Sequence, residues 1–394
     1  MLKEKIRDFV KYNKSFFKIY TFFGSMLIRF FGFFIPVDRK KIFFISFGGR
    51  KYDDSPKRIY ERMLETKEFE NFKFVWAFTG DVTAEIPGNP VIVKTDSLSY
   101  YYHCLSSKFW ITNVSAERGL DFKSKKHVYV NTWHGTPIKK ICGEEHTKNQ
   151  ASETYKKNKF DLFCAQSEYD RNIFSRIFKV DKSNILLSDL PRNDGMDKYS
   201  SAAVEAVKKK LGISDDKKVI LYMPTYREYL RDSNNSCYLA PPIDLEKWER
   251  ELGDEYVLLI RAHYLVVKEL EINQNGFVYD VSKYEYLNDL YAISNVLISD
   301  YSSAFFDFAV LERPEFCFAY DIEEYEEKRG LYIDMEQELP CSVDHNEDEL
   351  IEHIKHMNYD EMCEKTRSFK NKYLPYCGNA TDVLIKEIIK RYMS

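Results

Sequence analysis

Several short stretches of this 394-residue sequence end in residues that can move a proton or hold a phosphate. In "NTWHGTPIKK" (131–140), His134 stands between a tryptophan and Gly135, with the hydroxyl of Thr136 and two lysines to follow. "IRAHYLV" (260–266) places His263 after an apolar run. Histidine is the side chain best tuned to proton transfer near neutral pH, although a lone histidine is more often structural than catalytic. "ISDYSSAFFDFAVLERP" (298–314) reads as a strand that ends at Asp300, followed by Ser302 and Ser303 at the start of a helix. Two hydroxyls and free backbone N–H groups at a helix start make an anion site, whereas an ordinary N-cap explains only one serine. Asp307 is one turn on from Ser303 and is placed to accept from a substrate hydroxyl. Arg329 beside Gly330 pairs a side chain that grips phosphate bidentately with a residue that permits close backbone approach. "LPRND" (190–194) and "YMPTYRE" (222–228) add Arg192, Thr225 and Arg227, and Ser282 closes another apolar run. The chain has no G-x-G-x-x-G, no P-loop and no G-x-S-x-G elbow, so dinucleotide, P-loop and hydrolase readings lack support.

Most of these residues follow short apolar runs, and that defines the elements that must hold them. Strands are expected at 41–47, 72–78, 91–95, 109–114 and 127–133. A second series is expected at 184–190, 218–224, 255–263, 276–282, 295–301 and 315–321. Helices fall between, at 56–65 and within 197–218, and an amphipathic helix closes the chain at 380–394. Alternating strands and helices predict an α/β chain with parallel sheets covered on both faces. Two such sheets predict a ligand site beyond the carboxyl ends of their strands, in a cleft between domains. The expected organisation is an N-terminal segment over 1–40, Rossmann-like domains over 41–196 and 197–378, and a terminal helix over 379–394.

Length and composition agree with two domains. A net charge of −4 gives no reason to expect nucleic acid as a partner. The eight cysteines show no C-x-x-C pair, which argues against a zinc site or redox pair and suits a reducing compartment. Residues 1–41 hold ten Lys/Arg and three acids, a charge of +7 that leaves −11 on the remainder. Within them, "FFKIYTFFGSMLIRFFGFFIP" (16–36) is crowded with phenylalanine but broken by Lys18 and Arg29. A spanning helix needs about 20 apolar residues. A basic aromatic segment fits the headgroup interface better, which predicts a peripheral protein on the cytoplasmic face of the cell membrane, attached through residues 1–40. No small-residue cleavage site follows, so a secretory signal is not expected.

Taken together, "NTWHGTPIKK", "LPRND", "MPTYRE", "RAHYLV", "VYDVSKYEYLNDLY" and "LISDYSSAFFDFAVLERPEFCFAYD…KRGLYID" resemble, in order and spacing, the CDP-glycerol glycerophosphotransferase family. The resemblance runs over residues 41–378. It implies a GT-B architecture of two Rossmann-like domains facing across a cleft. It also implies transfer of glycerol phosphate from CDP-glycerol to a hydroxyl of a lipid-linked glycan or polyol phosphate, releasing CMP, in teichoic acid or capsule-type polymer synthesis. The family's functional histidines fall on His134 and His263, its donor-phosphate contacts on Ser302, Ser303 and Arg329, and its cytidine near Ser282 and Tyr284. The loop "GGRKYDDSPK" (48–57) carries Asp54-Ser55 where the family often has Asp-Asn, on the acceptor side. No cofactor is required by the sequence, and Mg²⁺ arriving on substrate phosphates remains compatible with it. The rival readings are ribitol phosphate transfer from CDP-ribitol, a GT-B glycosyltransferase using a nucleotide sugar, and a binding protein on the same fold without turnover.

Overall fold

The computed structural model describes residues 14–82, 84–146, 159–227, 241–262 and 276–393. The chain divides into two compact units, one built from 1–134, 148–194 and 376–394, the other from 135–147 and 195–375. Each unit is therefore discontinuous in sequence.

In the first unit, β1 (Asp38–Ile45), β2 (Lys73–Phe78), β3 (Val91–Lys94), β4 (Ser107–Thr112), β5 (Val128–Asn131), β6 (Leu162–Ala165) and β7 (Ile185–Leu187) form one sheet in the order β3-β2-β1-β4-β5-β6-β7. Every pairing is parallel. Ile42, Phe43, Phe44 and Ile45 are fully buried, as expected for a strand covered on both faces. In register, Phe44 lies between Trp76 and Ile111, and its ring stacks on Trp76 at 5.2 Å. β6 was not expected from the sequence, and β7 is the edge of this sheet rather than the first strand of a second series. The helices Asp54–Leu64 and Ala380–Tyr392 pack on this core through Ile59, Tyr60 and Met63 and through Leu384, Ile385 and Ile388. The C-terminal helix is thus part of the first unit. Each such aliphatic side chain stabilises by about 1.5–3 kcal/mol when fully buried.

In the second unit, β8 (Lys218–Met223), β9 (Tyr256–Ile260), β10 (Val278–Asp280), β11 (Val296–Ser299), β12 (Glu315–Phe318) and β13 (Val343–Asp344) form a parallel sheet in the order β10-β9-β8-β11-β12-β13. Both orders are those of doubly wound α/β sheets, and both reverse beside the first strand: between β1 and β4, and between β8 and β11. Segment 135–147 joins this unit through a bridge between Lys139 and Leu331 and through Lys140 N–H donating to the Gly330 carbonyl at 2.9 Å.

The helix Lys14–Phe34 packs on the first unit by its small residues. Thr21 and Ser25 are buried, and a Cβ on Gly24 or Gly32 would meet a Leu120 or Leu105 methyl at 3.2 or 3.0 Å. Gly24, Ser25 and Gly32 lie three, four and eleven residues on from Thr21, helical spacings that share one face. The Asp121 amide donates to Ser25 Oγ, and Arg29 pairs with Asp121 at 2.6 Å. The opposite face exposes Phe22, Phe23, Phe30, Phe33 and Phe34, each by more than half.

The turn after β1 carries a testable constraint. Gly49 has φ +91, and a Cβ there would meet Thr95 Cγ2 at 2.8 Å and the Thr79 amide nitrogen at 3.1 Å. Gly49→Ala is expected to cost about 1–3 kcal/mol of stability. Denaturant unfolding checks this, and an unchanged midpoint would contradict it.

Candidate active site

The first unit presents His134, and the path of the chain explains how. β5 ends at Asn131, whose side chain is fully buried and binds both ways: Oδ1 accepts from the Trp133 amide at 2.7 Å and Nδ2 donates to the Val114 carbonyl at 2.8 Å. Trp133 takes φ +55, rare for a large residue, and its indole is anchored against Phe178 at 4.7 Å. The left-handed residue turns the chain, so the next side chain leaves the core half-buried. His134 Nδ1 lies 2.8 Å from the Asn113 carbonyl. A carbonyl only accepts, so the proton sits on Nδ1 and the Nε2 lone pair is left as the basic position. Burial holds the imidazole below its ordinary pKa, partly offset by the bond to Asn113, so it is neutral at pH 7.

Asn113 lies at the strand-order reversal of this sheet, where its Oδ1 accepts from the Phe47 amide at 2.8 Å. The reversal therefore joins the end of β1, the end of β4 and His134. Arg192 also meets this corner. Its Nη1 donates to Asp54 Oδ2 at 2.7 Å and to the His134 carbonyl at 3.1 Å, and its amide donates to Ser55 Oγ. Arg192 is thus largely committed to Asp54 and holds the corner from below.

In the second unit the reversal is filled by Asp300. Its Oδ1 accepts from the amides of Thr225 and Tyr301 at 2.9 and 2.8 Å, and its Oδ2 pairs with Arg227 at 2.8 Å. Ser302 Oγ accepts from the Ala304 amide at 3.2 Å, and Ser303, at the N-cap position, is half-buried. The helix that follows is only Ala304–Phe308, running into a 3₁₀ turn over Ala309–Leu311. So short a helix carries little macrodipole, and the hydroxyls are polar groups at its start. Arg329 follows the helix Ile322–Lys328, mostly buried, 3.8 Å from Glu145.

Several expected site residues differ from the sequence reading. Arg227 is 2% exposed and faces carboxylates of its own chain rather than solvent. Thr136 is fully buried, Asp300 and Asp307 are nearly so, and Asp307 lies near Glu315. Gly330 does take the left-handed region at φ +81, but the space left by its missing Cβ is filled by Lys140 Cδ at 2.7 Å and His146 Nε2 at 2.9 Å. Gly135 takes φ +139, directly after His134. Ser282 Oγ accepts from the Ala262 amide, and Tyr284 donates its hydroxyl to Asp289. Arg261 holds that loop by donating to the carbonyls of Val281 and Tyr284. His263 lies outside the described residues. The reading missed Asn113, Asn131 and Asp321, whose partners His134, Val114 and Arg227 lie 21, 17 and 94 residues away and are brought close only by the fold.

His127 and His134 give a pH prediction. His127 donates from Nδ1 to the Ser107 carbonyl, and burial lowers its pKa to about 4; His134 is lowered in the same direction. A folded pKa below the unfolded value of about 6.5 means that the unfolded chain takes up protons first as the pH falls. Their contribution should be full above about pH 6.5 and decline from there towards 4. Imidazole titration by NMR should place both midpoints below 6.5, and a His134 midpoint at or above that value would contradict the geometry.

A family model described as CDP-glycerol:poly(glycerophosphate) glycerophosphotransferase matches residues 27–390. The teichoic acid glycerol-phosphate transferase of Staphylococcus aureus is 32% identical over 99% of this chain and 100% of its own length. The teichoic acid poly(glycerol phosphate) polymerase of Bacillus subtilis is 33% identical over 99% of this chain, and the chain spans only 53% of that relative. Among solved structures, the wall teichoic acid polymerase TagF superposes with a TM-score of 0.82 at 31% identity, covering 93% of each chain. A histidine-to-asparagine variant of TagF was also solved after a soak with CDPG, with a TM-score of 0.81 at 31% identity over 91% of each chain. A UDP-GlcNAc 2-epimerase from Neisseria meningitidis, at 13% identity and a TM-score of 0.55, shares the fold alone. With the family model matching nearly the whole chain, this protein belongs to the CDP-glycerol:poly(glycerophosphate) glycerophosphotransferase family.

Proposed function

We propose that this chain transfers glycerol phosphate from CDP-glycerol to a hydroxyl of a lipid-linked acceptor and releases CMP, in teichoic acid synthesis, as a GT-B enzyme. The observation that carries the reading is the His134 tautomer: Nδ1–H is held by the Asn113 carbonyl and Nε2 is a neutral proton acceptor. In the reaction the acceptor oxygen bonds to the phosphorus that bears glycerol. Its proton passes to His134 Nε2, and the bond from that phosphorus to the CMP oxygen breaks with its electron pair leaving on CMP. Such transfers rely on positioning and on balancing charge over the phosphoryl oxygens. Ser302, Ser303 and Arg329 are the groups of the second unit suited to that task, as hydroxyl and guanidinium donors. Glycerol is preferred to ribitol as the transferred group, because the poly(glycerol phosphate) polymerases and the glycerol-phosphate transferase are 31–35% identical and the glycerol-phosphate primases 28–29%, whereas the ribitol phosphate polymerases are 26–27%.

The helix Lys14–Phe34 supports a peripheral place at the membrane. Its Phe17–Phe34 stretch is long and apolar enough to cross a bilayer by length and composition. Its small face, however, is seated on the first unit, and Arg29 is tied to Asp121. A helix so attached exposes one aromatic face, which suits lying in the headgroup region rather than spanning.

Two experiments test these readings. CMP release should be seen with CDP-glycerol on a lipid-linked acceptor and should fall at least 10²-fold in His134→Ala. Release with CDP-ribitol alone would move the donor to ribitol, and release that survives the variant would remove His134 as base. Sedimentation with anionic vesicles should pull down the wild type, and replacing Phe22, Phe23 and Phe30 with serine should weaken this; unchanged binding would shift the attachment elsewhere.

A further inference from the structure

The group that most needs a reason in the second unit is the buried guanidinium of Arg227. Its Nε and Nη2 donate to the two oxygens of Asp321 at 2.7 and 2.8 Å, and its Nη1 donates to Asp300 Oδ2 at 2.8 Å and to the Thr225 carbonyl at 2.6 Å. Three tyrosine rings surround it, with centroids of Tyr301, Tyr320 and Tyr325 at 4.9, 5.3 and 5.2 Å. Taking one cation and two carboxylates out of water is expensive, and apolar residues of the same volume would often serve stability as well. The two carboxylates come from different elements: Asp300 stands two residues before Ser302 of the Ser302–Ser303 turn, and Asp321 directly precedes the helix Ile322–Lys328 that leads to Arg329.

The tyrosines join the same two elements. Tyr301, next to Ser302, donates its hydroxyl to Asp321 Oδ1 at 2.9 Å and stacks on Tyr325 at 3.7 Å with the ring planes 14° apart. The Tyr325 carbonyl in turn accepts from the Arg329 amide at 2.8 Å. One guanidinium therefore touches the residue two before Ser302 and the residue one helical turn before Arg329. Burial by itself would lower the guanidinium pKa, but the charge of Asp300 and the hydrogen bonds to Asp321 raise it instead, so the cation persists at every working pH.

We propose that Arg227 is a positioning residue: with Asp300 and Asp321 it fixes the register between the Ser302–Ser303 turn and Arg329, so that both meet one donor diphosphate. This rests on the donor reading above. A planar fork that bonds two carboxylates in different directions sets both distance and angle, which a lysine point charge cannot do. The tyrosine cage removes the remaining freedom of the fork.

The test is a double-mutant cycle on the full chain, with CDP affinity by calorimetry and KM and kcat for CMP release as readouts. Ser302→Ala, Arg227→Lys and the double variant are compared, with thermal unfolding alongside. Arg227→Lys should weaken CDP binding and raise KM by roughly tenfold, and Ser302→Ala should cost markedly less in that background than in the wild type. Losses that simply multiply would overturn the positioning role, because a purely structural arginine shifts the melting temperature without coupling to Ser302. If Arg227→Lys does not fold, Tyr301→Phe, which deletes only the hydroxyl bond to Asp321, runs the same cycle under the same criterion. CDP binding that is insensitive to Ser302→Ala in the wild type overturns the donor reading itself, and the positioning role with it.

Discussion

In each sheet, the reversal of strand order beside the first strand is the constraint on which the functional corners depend. Where neighbouring strands lead away to opposite sides, their carboxyl ends part and backbone groups there lose their ladder partners. Both units repair the gap in the same way. The residue two beyond the first strand, Phe47 or Thr225, donates its amide to the side chain one beyond the fourth strand, Asn113 or Asp300. The repair residue then has further groups to offer. Asn113 turns its carbonyl to His134, and Asp300 turns its second oxygen to Arg227.

The two repairs differ in charge, and the difference matches the side chains each one holds. Asn113 is neutral and holds a neutral imidazole whose burial keeps it deprotonated. Asp300 is paired with a cation in a cage that includes a second carboxylate, so its surroundings are rigid and ionic. A proton acceptor needs an unprotonated lone pair in a fixed tautomer, whereas a phosphate grip needs fixed geometry among several donors. The same topological position thus holds a neutral imidazole in one unit and a buried ion pair in the other, by one choice of side chain, amide or carboxylate.

The N-terminal helix shows the reverse of ordinary amphipathicity. It meets its own protein through Thr21, Gly24, Ser25 and Gly32, and leaves phenylalanines outward. Small residues allow close approach of backbone to Leu120 and Leu105, so the helix is held by contact and by Ser25 and Arg29 bonding to Asp121 rather than by burying its largest side chains. That leaves the aromatic face available to another phase. The loop that receives it, around Arg118, also donates from Arg118 Nη1 to the Gly48 carbonyl in the turn after β1.

The sequence by itself determined the α/β class, most strand positions, the family resemblance and the prominence of His134, because apolar runs and strand-end polar residues are local signals. It could not supply strand order. β6 and β7 belong with β1 although they lie far along the chain, and the C-terminal helix returns to the first core. Nor could it say which polar residues face outward. Arg227, Asp300 and Asp307 look like ligand contacts in one dimension, but the fold buries all three, while Asn113 and Asp321 acquire their roles only from neighbours 21 and 94 residues away. The physical reason is that hydrophobic periodicity decides local structure, whereas the partner of a buried polar group is decided by which strand ends the topology sets side by side.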